Sequence, residues 1–275
     1  MNQLLKQVLL VCVCLLALTG QAIADSLSDA KRAYHAKDFA KAASLYTPLA
    51  KQGNADAQTE LGVMYDNGQG VTQDYKEALK WFQLAAAQGN ADAQFNLGVM
   101  YDRGEGVHQS YKGAVKWFRL AAVQGNADAQ FYLGVMYDNG QGVPRDYKES
   151  VKWYQLAARQ GNAYAQFNLG MMYDNGRGVP QDYTEAVKWF RLAAEQGDAK
   201  AQANLGAKYD KGQGVSQDYA LAYMWANIAS AKAPASELQQ IVSYRDSIAK
   251  KMAAQQIAEA EELARKCTAK KFKGC

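Results

Sequence analysis

A stretch of 36 residues recurs along this chain, and a strict period of that length leaves few folds open. Gly53, Gly89, Gly125, Gly161 and Gly197 close successive copies. Leu61, Leu97, Leu133, Leu169 and Leu205 keep the same step, as do Trp81, Trp117, Trp153, Trp189 and Trp225. A repeat in this size range marks stacked supersecondary units, each too small to bury its apolar face alone.

The copy from Asn90 to Gly125 shows the unit's chemistry. Asn90 can cap a first helix by accepting from N–H groups that lack an intrahelical partner. Ala93, Leu97 and Tyr101 follow at helical spacing and predict one buried stripe. Gly98 lies beside that stripe. Since mid-helix glycine costs roughly 1 kcal/mol against alanine, close approach of a neighbouring helix is the reason to keep it. A G-x-G-V loop (Gly104, Gly106, Val107) ends the helix. The second helix begins at Ser110, and in the other copies at Asp74, Asp146, Asp182 and Asp218. Glu77, Glu149 and Glu185 stand three residues after their aspartates, as in a capping box. Ala114, Trp117 and Ala121 form the expected inward stripe of this helix, and Gly125 its C-terminal cap.

These residues, A-x-x-x-LG-x-x-Y-x-x-G-x-GV-x-x-x-Y-x-x-A-x-x-W-x-x-x-AA-x-x-G, closely resemble the Sel1-like repeat family, a branch of the tetratricopeptide-related solenoids. The resemblance spans about Asn54 to Ala233. It implies an all-α, right-handed superhelical solenoid of stacked helix-turn-helix repeats with capping helices at both ends. It also implies that first helices line a concave groove. The side of the first helix opposite Ala93, Leu97 and Tyr101 presents Phe95, Asn96 and Val99. Across the copies this gives one ladder of Thr59, Phe95, Phe131, Phe167 and Ala203, and another of Glu60, Asn96, Tyr132, Asn168 and Asn204. Asparagine can pair with an extended peptide backbone and aromatics can anchor it. Phe95, Asn96, Val99, Phe131, Tyr132, Phe167, Asn168 and Asn204 are therefore the candidate partner-binding residues. Packing of the three phenylalanines between adjacent first helices is the competing reading.

Taken in order, the chain opens with Lys6, an apolar run from Val8 to Leu18, and Ala22-Ile23-Ala24. This reads as a signal peptide, residues 1–24, cleaved near Ala24-Asp25, with an uncleaved anchor as the alternative. Removal would leave no transmembrane segment and place the protein in the periplasm or outside the cell. Residues 25–53 form a degenerate capping repeat without the G-x-G-V loop. Five copies follow at 54–89, 90–125, 126–161, 162–197 and 198–233. Residues 234–275 give one or two capping helices and a basic tail. Cys267 and Cys275 are the only cysteines beyond the leader and read first as a disulfide. Two free thiols or pairing with another chain remain open.

Net charge is +4, and residues 250–275 alone hold seven Lys/Arg against three Glu. The basic excess thus belongs to the tail, and no nucleic-acid partner is expected. The G-x-G loops join helix to helix and carry no Gly-Lys-Ser/Thr, so they read as turns, not phosphate loops. Two S-x-x-K strings, Ser28–Lys31 and Ser247–Lys250, lack the S-D-N and K-T-G elements of cell-wall acyltransferases. His35 and His108 are the only histidines, and Asp66, Asp102, Asp138, Asp174 and Asp210 lack the spacing of a calcium loop. No catalytic residue, metal or cofactor is expected. The first functional reading is a non-catalytic scaffold that binds a protein or peptide in the groove. The second is an envelope protein that interacts with β-lactams or with peptidoglycan, a cell-wall component, and has weak hydrolase activity. Cysteine-rich members of the family suggest it, but this chain has no cysteine between Cys14 and Cys267.

Overall fold

A computed structural model describes residues 26–275, so the expected signal peptide and cleavage site lie outside the described residues. Fourteen helices joined by turns, with no strand, make up the described residues, and helix pairs packing in chain order form an all-α repeat solenoid. The chain divides into two compact units, Met1–Asn126 and Ala127–Cys275. The first holds α1 (26–35), α2 (Phe39–Lys51), α3 (Ala55–Asn67), α4 (Tyr75–Ala87), α5 (Ala91–Arg103) and α6 (Tyr111–Val123). The second holds α7 (Ala127–Asn139), α8 (Tyr147–Arg159), α9 (Ala163–Asn175), α10 (Tyr183–Glu195), α11 (Ala199–Lys211) and α12 (Tyr219–Ser230). It ends in α13 (Ala235–Ala249) and α14 (Ala254–Ala269), which pack on α12.

Side chains fix the helix ends. Asn54, Asn90 and Asn162 accept from the third backbone N–H beyond them, and Asp198 does the same. Asp74, Ser110, Asp146, Asp182 and Asp218 cap the second helices. The expected capping box is only half formed. Asp74, Asp146 and Asp182 give their own N–H to the carbonyls of Tyr65, Tyr137 and Tyr173, each at 3.0 Å. With that donor taken, Glu77, Glu149 and Glu185 turn outward and pair with Lys80, Lys152 and Lys188 one turn on. The second helices α4, α6, α8 and α10 end in a Schellman motif, as where the N–H groups of Gly89 and Asn90 reach Ala86 and Ala85, whereas after α12 the Ala233 N–H makes an ordinary i−4 bond to Ala229.

The glycine in the middle of each first helix is there for close approach. A Cβ on Gly98 would lie 2.4 Å from the Phe118 ring, on Gly62 2.6 Å from Phe82, and on Gly170 2.7 Å from Phe190. Phe82, Phe118, Tyr154 and Phe190 are fully buried. Trp117, Trp153 and Trp189, one residue earlier, are only half buried, so the stripe of α6 runs Ala114, Phe118, Ala121, not through Trp117. On α5, Met100 and not Tyr101 completes the buried face. The indoles of Trp81, Trp117 and Trp189 lie beneath the ammonium of the preceding lysine at 5.2–5.5 Å. The second glycine of the loop has its own reason: a Cβ on Gly106 would meet the Tyr75 carbonyl oxygen at 2.4 Å, so the loop sits directly on the first turn of α4.

A buried polar ladder recurs in both units. Gln58, Gln94, Gln166 and Gln202 donate to the carbonyls of Ala50, Ala86, Ala158 and Ala194, each in the last turn of the preceding second helix. The oxygens of Gln58, Gln94, Gln130 and Gln166 accept from Gln88, Gln124, Gln160 and Gln196 at 2.7–2.8 Å. Each buried amide thus satisfies one helix end and is itself satisfied. The ladder stops at Gln202, whose oxygen is buried without a donor among the described residues, because Lys232 stands where the period would put the next glutamine.

At the C-terminus Cys267 and Cys275 form a disulfide with Cα atoms 5.7 Å apart. The bridged tail turns back so that Phe272 is buried, with the Lys232 ammonium 4.3 Å from its ring. Lys271 and Phe272 hold positive φ, a conformation that side chains resist and that the bridge helps to keep.

Two outcomes follow for unfolding in urea. Gly98→Ala lowers stability by about 1–3 kcal/mol although alanine is the better helix former, because the methyl group overpacks against Phe118. Cys267→Ser with Cys275→Ser costs about 2 kcal/mol and exposes Phe272, read as faster proteolysis of the tail.

Candidate binding surface

The first helices present different residues at the same outward positions. In the first unit Phe95, Asn96 and Val99 on α5 are half buried. In the second unit the same holds for Phe131 and Tyr132 on α7, Phe167 and Asn168 on α9, and Asn204 on α11. Each phenylalanine leans on the buried aromatic of its own copy's second helix. Phe95 lies 5.9 Å from Phe118, Phe131 6.0 Å from Tyr154 and Phe167 6.0 Å from Phe190, ring centre to ring centre. They are therefore partly committed to packing within their own copies. Phe131 also meets Tyr164 of the next first helix at 5.8 Å and Tyr132 at 5.3 Å, and its contact with Tyr164 is packing between first helices.

The asparagines are less committed. Asn96 and Asn204 each donate from Nδ2 to the carbonyl one turn back, Asp92 and Lys200, which leaves Oδ1 as an acceptor. At the first position of the ladder, Thr59 is buried and donates to Ala55. Burial raises the Glu60 carboxyl above the usual glutamate range, with Lys31 opposing and Asp56 and Asp92 adding to the rise.

Sequence reasoning missed two parts of this surface. Tyr164 is 65% exposed and stands where earlier copies carry Asp56, Asp92 and Asp128. Those aspartates accept from Asn90, Asn126 and Asn162, tying first helix to first helix, so the break in the Asn-Ala-Asp-Ala-Gln pattern at Tyr164 was the available signal. The second is a cleft of about 420 Å³ in the second unit, lined by Phe167, Ala203, Asn204 and Ala207 together with Ile241 and Tyr244 of α13. Nothing in the sequence pattern places α13 there.

The aspartates that end the first helices fall into two groups. Burial pushes the Asp66, Asp102 and Asp138 carboxyls above the ordinary aspartate range, and Glu105 adds to the rise at Asp66. Asp174 instead pairs with buried Lys208, which replaces the methionine of Met64, Met100, Met136 and Met172. Asp210 pairs with Lys251 at 2.7 Å and accepts from Tyr244 at 3.2 Å, which ties α13 to α11. Among the described residues no three His, Cys, Asp or Glu side chains come together to hold a metal. Ser247 gives its hydroxyl to the Tyr244 carbonyl at 2.6 Å, so the second S-x-x-K string forms no Ser–Lys pair.

A carboxyl whose pKa is higher folded than unfolded favours the fold most below the unfolded value of about 3.9, and that contribution is lost as pH rises through the folded value. Asp66→Asn, Asp102→Asn and Asp138→Asn together therefore raise Tm at pH 7. The gain over wild type shrinks as pH falls toward 4, and thermal melts across that range read it.

No helix among the described residues is long and apolar enough to cross a membrane. No curated protein matches the chain. Among solved structures it is similar to a Sel1 repeat protein from Oxalobacter formigenes, with 36% identity and a TM-score of 0.71 over 76% of this chain and 83% of that one. It is also similar to c5321, a protective antigen present in uropathogenic Escherichia coli strains and displaying an SLR fold. There the identity is 31% and the TM-score 0.59, over 89% of this chain but only 60% of that one. Sel1 repeats commonly serve as protein–protein interaction scaffolds and are generally non-catalytic. The Sel1 repeat model matches residues 31–54, 55–90, 91–126, 127–162, 163–198 and 199–233, the first of them in the degenerate N-terminal segment. With six matching repeats over most of its length, this chain belongs to the Sel1 repeat family.

Proposed function

We propose that this protein is a non-catalytic scaffold, exported to the periplasm or beyond, that binds a polypeptide on the face of its first helices. The observation that carries this is a contrast between positions within each copy. Leu61, Leu97, Leu133, Leu169 and Leu205 do not vary, nor do the glycines after them or the buried glutamines three residues before. One position before each leucine the residues are Glu60, Asn96, Tyr132, Asn168 and Asn204. Stacking sets the first group, while the second is half exposed and differs from copy to copy, as recognition would require. Export is supported by the charged, apolar and small-residue order of residues 1–24 and by the Cys267–Cys275 bridge, which suits an oxidising compartment. A reading as a protein acting on peptidoglycan or β-lactams has less behind it, since this chain lacks cysteines between Cys14 and Cys267 such as its cysteine-rich relatives carry.

A photoreactive residue placed at Asn96 or Asn168 in intact cells should crosslink to one dominant polypeptide. The same residue at Lys152, on the exposed side of α8, should not. Equal crosslinking from all three positions, or crosslinks only within the chain, would remove the face from the account.

A further inference from the structure

We infer that the cleft of the second unit receives an aromatic side chain from an extended segment of the partner, in place of a phenylalanine that the last copy lacks. The inference rests on the reading that the first-helix face binds a polypeptide, and it names what one part of that face selects. Ala203 stands in register with Phe95, Phe131 and Phe167, and Ala207 with Val99, Val135 and Met171. Two large apolar side chains are thus missing from α11 at neighbouring turns. Behind it Ala226 occupies the register of Phe118, Tyr154 and Phe190, and the ring buried in this copy is that of Trp225, one residue earlier. There α11 and α12 close up instead, a Cβ on Gly206 lying 3.0 Å from the Ala222 carbonyl oxygen.

On the outer side the gap stays open. Helix α13 crosses it but leaves a cleft of about 420 Å³, a size that suits ligand side chains. Phe167, Ala203, Ala207 and Ile241 supply an apolar lining. Charge is balanced at its edge, where Lys200 and Glu237 pair at 3.1 Å, so a charged occupant side chain has no unmatched counter-ion to meet. The Tyr244 hydroxyl is held by Asp210. What the rim still offers is amide chemistry. Among the described residues the Asn204 oxygen has no donor, its nitrogen being given to Lys200, and the Gln240 side chain makes no hydrogen bond. Acceptors and donors of that kind pair with a peptide backbone while the cleft takes the ring. Phe167 already packs on Phe190 at 6.0 Å and would lie beside the incoming ring.

The test is a displayed library of random heptapeptides panned on the full chain. Wild type should enrich peptides with Phe, Tyr or Trp at one fixed position. Replacing that residue by alanine in a synthetic peptide should weaken binding at least tenfold. Ala203→Phe, which restores the ladder and fills the cleft, should weaken it at least tenfold while the melting temperature holds or rises. Ala207→Met, which copies the side chain of Met171 in the preceding copy, is the second occluding variant should the first fail to fold. Failure to enrich any peptide on wild type overturns the inference, as does enrichment without a fixed aromatic. Equal binding by the occluded variants does so too. Peptides that lose binding with Asn168→Ala but not with Ala203→Phe would leave the first-helix face standing and remove only the cleft.

Discussion

In four successive copies an aromatic ring occupies the space a Cβ would need: Phe82 on Gly62, Phe118 on Gly98, Tyr154 on Gly134 and Phe190 on Gly170. The arrangement costs helix propensity at every glycine and returns a close interhelical contact with a fully buried ring. Burial of that kind contributes on the order of 1.5–3 kcal/mol for each ring. Much else depends on this contact. It sets the spacing of the two helices in a copy, and with it the reach by which the buried glutamines meet the preceding helix end on one side and Gln88, Gln124, Gln160 or Gln196 on the other.

Because the interlock repeats, departures from it mark where the stack ends. The last copy has alanine, Ala226 and Ala203, at the registers of the ring over glycine and the outward phenylalanine, and it is the copy on which α13 and α14 close. Lys208 and Lys251 appear there, matching Asp174 and Asp210, whereas the position of Lys208 holds a methionine in every earlier copy. The stack thus gains ion pairs at its end, and the Lys251–Asp210 pair holds the capping helix region to the last first helix. The buried Lys208–Asp174 pair fixes geometry more surely than it adds stability.

Much of this was legible in the residues. The period, the Asn and Asp caps, the turn role of G-x-G-V and the close-packing role of the mid-helix glycine depend on contacts within about one copy, and a single copy displays them. The errors share a cause. Trp117 and Phe118 are adjacent and both aromatic, so helical spacing alone could not say which one meets Gly98. The buried role of Gln94 left no sign within a single copy, because its partners, Ala86 and Gln124, lie 8 and 30 residues away. The capping box failed on one donor, the Asp74 N–H, claimed by Tyr65 across the loop. The cleft could not be read at all, since it depends on where α13 comes to rest.

The functional account stands on a division of labour within each first helix: some residues hold the stack and others face outward for a partner. The most direct measurement is a proteolysis-based stability scan of every substitution along α9, Ala163–Asn175, in the full chain. The account predicts two classes. Changes at Ala165, Gln166, Leu169 and Gly170 destabilise, while changes at Tyr164 and Asn168 leave stability near wild type. If Tyr164 and Asn168 proved as sensitive as Leu169, those side chains would belong to the core, and the face would have no residues left with which to recognise a partner.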